Sequence, residues 1–154
     1  MLLFSSCTDK TRDNKTEITE STDRSKAKNE NGDKFIFSGE SEHWEAIFYE
    51  NFTEKWEQDD KGKWHYIKNG SQELEMIFKG VNYGELGTVK YKFELIIGDG
   101  LAVASRTGTL ILKDGVHREI FDSGDSINIL REDEEAKIEI KWDNKVEKII
   151  LKTK

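Results

Sequence analysis

From Phe35 onward the hydrophobic residues recur at every second position, a period that argues against amphipathic helices and demands strands with one buried face. In "TVKYKFELII" the residues Val89, Tyr91, Phe93, Leu95 and Ile97 alternate with Lys90, Lys92, Glu94 and Ile96. "AKIEIKW" repeats the pattern with Ala136, Ile138, Ile140 and Trp142, "HWEAIFYENF" with Trp44, Ala46, Phe48 and Phe52, and "ELEMIF" with Leu74, Met76 and Phe78. The stretches "KFIFSG", "KWHYIK", "LAVASRTGTLIL", "REIF", "SINIL" and "VEKIILK" read the same way. Between them stand "DDKG" at 59–62, "KNGS" at 68–71, "GDG" at 98–100, "KDG" at 113–115, "DSGDS" at 122–126 and "WDNK" at 142–145. Asn, Asp and Gly tolerate turn dihedrals, and joints this close together suit hairpins rather than crossovers. No segment sustains a helical period. The pattern predicts an all-β domain over residues 34–154, an antiparallel β-sandwich or flattened barrel of nine or ten short strands.

The N-terminal part has the opposite character. Thr8 to Lys34 holds seven basic and seven acidic residues, with Ile18 and Ala27 as its only hydrophobic members. It has no core to collapse around, and 8–33 reads as a disordered polar linker. A flexible chain of that length spans about 30 Å end to end, enough to hold a small domain clear of lipid head groups. Before it lies "LFSSC", in which small residues lead to Cys7, the one cysteine of the chain. That stretch is similar to a bacterial lipobox, with Phe4 where Leu or Val is usual, and it implies a diacylglyceryl group on the Cys7 sulfur. Residues 1–7 then read as the remnant of a signal peptide. The charged start and most of the roughly 7 to 15 apolar residues of such a signal do not precede it, which leads us to expect an upstream start or a trimmed sequence. A chain truly starting at Met1 would instead be cytoplasmic.

Charge narrows the partners. A formal net charge of -7 with interleaved Lys and Arg disfavours nucleic acid and adsorption to anionic lipid, leaving covalent attachment as the expected route to a membrane. No apolar run approaches the roughly 18 to 20 residues of a spanning helix. A single cysteine forms no disulfide within the chain, and no Cys/His grouping suggests zinc. We therefore expect no metal and no cofactor.

"FIFSGESEHWEAIFYENF" resembles the opening strands of a group of small lipoproteins of Gram-positive, Bacillus-like bacteria whose mature domain begins F-x-G-E-S-x-x-W, matched here by Phe37, Gly39, Glu40, Ser41 and Trp44. The closing "IEIKWDNKVEKIILK" is similar to that group's final hairpin. The resemblance implies an all-β domain held by a lipid anchor on the outer face of the cell membrane, and it brings no catalytic residues with it.

The remaining candidates come from the residues themselves. Gly39 is expected to turn the chain out of the first strand, with Trp44 re-entering the core; Glu40, Ser41 and Trp44 could alternatively line a ligand pocket. Trp56 and Trp64 flank a polar turn, and with Tyr66 on an outer face they would make a platform for stacking a sugar ring or a peptide. The edge strand "KWHYIK" could also join another chain's sheet. His43, His65 and His117 are scattered, and neither a G-x-S-x-G elbow nor an S-x-x-K motif occurs. Asp59-Asp60 and Asp122-x-x-Asp125 lack the ligand spacing of a calcium-binding EF-hand loop. The expectation is a non-catalytic binding or accessory module at the cell surface; the alternative is a hydrolase or inhibitor of cell-wall or extracellular polymers using carboxylates such as Glu40, Asp59 and Asp60.

Overall fold

The computed structural model describes residues 32–121 and 127–153. Cys7, most of the 8–33 linker and the 122–126 turn with Asp122 and Asp125 lie outside them. The described chain is all-β, with strands β1 (Asp33–Glu40), β2 (Trp44–Gln58), β3 (Trp64–Phe78), β4 (Lys90–Ile97), β5 (Leu101–Thr109), β6 (Val116–Phe121), β7 (Glu135–Trp142) and β8 (Lys145–Thr153), plus one 3-10 turn at Tyr83–Glu85. Every pairing is antiparallel, in the order β5-β4-β7-β8-β1-β2-β3-β6.

The sheet curls until its halves face each other. Phe48 on β2 meets Phe93 on β4 with ring centroids 5.0 Å apart, although four pairings separate their strands. The alternating sets identified above supply this interior: Phe37, Trp44, Ala46, Phe48, Leu74, Met76, Tyr91, Phe93, Ile138, Ile140 and Leu151 are all buried. The end strands β5 and β6 do not pair, so the flattened barrel stays open along one seam. Side chains bridge it: Arg106 Nη1 donates to Glu119 Oε1 at 2.8 Å, and the Tyr91 hydroxyl donates to the same carboxylate.

Among the described residues eight strands are named where nine or ten were expected, for two reasons. "KWHYIK" and "ELEMIF" belong to one strand, because "KNGS" continues the ladder instead of turning. Gly70 sits opposite Phe52, and a Cβ there would lie 2.5 Å from the Asn51 carbonyl oxygen and 2.6 Å from Ile127 Cδ1. Its missing side chain makes room for a crossing segment. That segment is the second departure: Ile127–Leu130, read as a strand, joins no ladder and lies as a strap over the inner face. Ile127 and Ile129 pack with Phe52, while Leu130 enters the main core. Ile96, expected on the outer face, is buried because a bulge between Leu95 and Ile96 shifts the register.

The turn signals succeed elsewhere. Asp143 and Asn144 take φ of 43° and 62°, and Asp114 and Gly115 take 54° and 80°, the pair of left-handed residues a type I′ hairpin requires. Gly39 differs from its expected role. It stays within β1, and its missing side chain admits β8: a Cβ would lie 2.3 Å from the Ile150 carbonyl oxygen and 2.8 Å from Ile149 Cγ2. Gly39→Ala should therefore force β1 and β8 apart and lower the unfolding free energy by about 2 kcal/mol in urea titrations. An unchanged midpoint would show that β8 can withdraw freely.

Candidate functional site

The two longest strands outrun their neighbours. β1 pairs with β2 only through Phe52, and β6 pairs with β3 only from Gln72. Among the described residues, Thr53–Gln58 and Trp64–Ser71 have no strand neighbour beyond each other, so the β2–β3 hairpin leaves the barrel as a two-stranded arm about 20 Å long. A ribbon of two strands has only one partner per residue and needs support from side chains. At the tip, the Asp59 carboxylate accepts from the Lys61 and Lys63 amides, both at 2.9 Å, and lies 2.8 Å from His65 Nε2. These hydrogen bonds, His65 foremost, hold the Asp59 carboxyl below its ordinary range.

Trp56 opposes Tyr66 and Trp64 opposes Gln58, so all four project from the same face. The two rings of the first pair lie 5.2 Å apart at 47°. Trp56, Trp64 and Tyr66 are 63%, 59% and 46% exposed. The three rings share one face, as the sequence suggests, but with one correction: it is not an outer face of the barrel. The face continues the inward side of the barrel, since Trp56 is in phase with Phe48 and Phe52. Among the described residues no opposite layer stands beyond the strap, so side chains in the core phase are exposed there.

The strap anchors the arm's base. Arg131 grips Glu54 with two parallel hydrogen bonds, Nη1 to Oε2 at 3.0 Å and Nη2 to Oε1 at 2.7 Å, and its guanidinium lies 5.3 Å from the Phe52 ring centroid. The Tyr66 hydroxyl donates to the same carboxylate. Arg131 above all, with Tyr66, holds the Glu54 carboxyl below its ordinary range.

Two core-facing positions deeper than Glu54, Glu50 is fully buried. Its Oε1 accepts from Gln72 Nε2 at 2.8 Å and its Oε2 from the Leu130 amide at 2.8 Å, while Gln72 Nε2 also donates to the Asn128 carbonyl at 2.9 Å. Two side chains thus bind the strap's backbone in place of a strand ladder. Burial pushes the Glu50 carboxyl up to about 7 against the lowering effect of these bonds. Sequence reading passed over Glu50, although its signal was present: an acid at the core-facing position of "HWEAIFYENF", midway between Phe48 and Phe52.

Glu40 and Ser41 stand elsewhere. Glu40 pairs with Glu45 at the far end of β2 and is 3.2 Å from Lys79 Nζ, so it lies about 40 Å along the strands from Asp59. Glu40, Asp59 and Asp60 therefore do not face one cleft, and Glu40 and Ser41 share no site with the aromatic trio. Ser41 instead donates through Oγ to Glu147 Oε2 at 2.5 Å; that oxygen also accepts the His43 amide at 3.0 Å, and Glu147 Oε1 lies 2.5 Å from His43 Nδ1. Burial raises the Glu147 carboxyl, but the Ser41 hydroxyl and the His43 donors outweigh it and hold it below its usual value. The carboxylate stands between hydroxyl and imidazole, whereas nucleophile activation needs the imidazole in the middle. Glu42, His43 and Glu147 offer ligand atoms within 4.8 Å of one another, but the two Glu147 oxygens already serve Ser41 and His43. His43 also borders a hollow of about 350 Å³ with Phe78, Trp142, Glu85 and Asp143.

No family model, curated protein or solved structure matches the chain.

Proposed function

We propose that the chain is a non-catalytic binding module, carried outside the cytoplasmic membrane by a lipid on Cys7, that takes hold of its ligand with the aromatic face of the β2–β3 arm. The observation that carries this reading is the set of three rings, Trp56, Trp64 and Tyr66, left 46% to 63% exposed on one face of a projecting ribbon. Large aromatics in solvent forgo the burial that would favour folding, and a partner surface supplies that burial on binding. The Arg131–Glu54–Tyr66 linkage holds the base of the face, so less conformational freedom is lost when a ligand docks. The lipobox-like residues and the polar linker support display on a tether.

Tryptophan fluorescence tests the site. Titration with cell-wall polysaccharide and with extended peptides should perturb the emission of the native chain, and Trp56→Ala with Trp64→Ala should weaken the responding ligand by about 30-fold or more. Both rings are largely exposed, so the thermal midpoint should move little. An equal affinity in the double variant would remove the arm as the site. Detergent-phase partitioning of the native protein against Cys7→Ser tests the anchor separately.

A further inference from the structure

The arm presents more than a face. Along Thr53–Gln58 the outer edge of β2 carries backbone N–H and C=O groups for which the described residues provide no strand, and uncovered edges of this kind pair with other chains. The edge also has a particular symmetry. Lys55 and Glu57 flank Trp56 and project from the reverse face, where their side chains contact each other within the chain. If this edge pairs antiparallel with its own copy about a two-fold axis at Trp56, each Lys55 falls opposite the partner's Glu57. Each Glu54 falls opposite the partner's Gln58, and the two Trp56 rings become neighbours. All these pairs join residues of the same face, as a continuous sheet requires. Gly32, the residue before β1, lies against Phe52 and Thr53, so the shared ladder runs from Glu54 to Gln58 and stops one residue short of that contact. The incoming strand therefore occupies the length of β2 that Gly32 and β1 leave uncovered.

We propose that a second copy of this chain docks edge to edge on Glu54–Gln58, forming a four-stranded ribbon with Trp56 on the two-fold. The free edge of β3 is less suited. Pairing about Tyr66 sets His65 against Ile67, and pairing about Ile67 sets His65 against Asn69, with no opposite charges in either register. The β2 dimer joins the aromatic pairs into one stripe, Tyr66–Trp56–Trp56–Tyr66, twice the length that either arm presents alone. This goes beyond the binding role proposed above and does not depend on it.

Sedimentation of the full chain over a concentration series provides the test. The native protein should dimerise reversibly. Lys55→Glu or Glu57→Lys turns both symmetric ion pairs into like-charge pairs and should weaken the dimer about tenfold or more, and the two changes combined should restore it. In a Cys7→Ser background, Trp56→Cys places two thiols across the axis at antiparallel Cα spacing, and mild oxidation should yield a covalent dimer, whereas Trp64→Cys should not. A native chain that stays monomeric would overturn the proposal, as would a dimer indifferent to charge reversal. A monomer whose 54–58 amides resist hydrogen exchange would also overturn it, assigning that edge to the chain's own N-terminal segment.

Discussion

Phe48→Ala should cost about 3 to 5 kcal/mol, the largest loss expected of a single apolar truncation in this domain. The ring is fully buried and lies within 6.2 Å of Phe37, 5.0 Å of Phe93 and 6.3 Å of Phe121, so it ties β2 to β1, β4 and β6 at once. Its removal opens a void between the two halves of the curled sheet, bordered by rings that belong to different strands and cannot all move inward. Set against the roughly 5 to 15 kcal/mol stability of an ordinary domain, that loss leaves the fold marginal. Urea unfolding followed by circular dichroism measures it, with Ile120→Ala as the control. Ile120 is 71% exposed on β6 and its truncation should shift the midpoint little. Equal effects would mean that the halves are not held together through Phe48.

Stability should fall as pH rises from about 4.5 to 7, and Glu50→Gln should abolish most of that slope. The folded Glu50 carboxyl titrates near 7 against 4.5 for the free side chain. Between those values the folded state keeps a proton that the unfolded chain releases. Stability is therefore fully present below the unfolded value and is lost as pH climbs through the folded one, by about 3 kcal/mol. Glu54 and Glu147 titrate below their ordinary values, so their stabilisation is lost only at lower pH, outside this window. Glutamine at position 50 can accept from one of the two donors but not from both, so the variant starts less stable by about 1 to 2 kcal/mol at pH 5. Its deficit should then shrink or reverse by pH 8. Unfolding midpoints of both proteins at the two pH values decide the matter, and parallel slopes would show that Glu50 is not the titrating group.

The platform was legible in the sequence because turn chemistry and strand phase are local. "EQDDKGK" between Trp56 and Trp64 marks a hairpin, and period two then sets Trp56, Tyr66 and Trp64 on one face. Glu50 was legible in principle, since the same phase places an acid in the core. Its partners were not: Gln72 lies 22 residues away and Leu130 lies 80, and no local signal announces a hydrogen bond across that separation. The strap misled for the same reason. "SINIL" has the alternation of a strand, but alternation records only which side chains are buried, not whether the backbone finds a ladder. "KNGS" misled in the opposite sense, because its glycine admits Ile127 rather than a turn.

The sequence by itself determined the strands, their buried faces and most of the hairpin turns, because burial alternates with the pleat and left-handed turn positions select Asn, Asp and Gly. Only the tertiary structure decided that one sheet would curl and stay open at β5 and β6, that the strap would be fastened by Glu50 and Gln72, and that Glu40 and Ser41 would end far from the aromatic arm. Those outcomes rest on which distant strands become neighbours, and that depends on packing the whole core at once rather than on any stretch of chain taken alone.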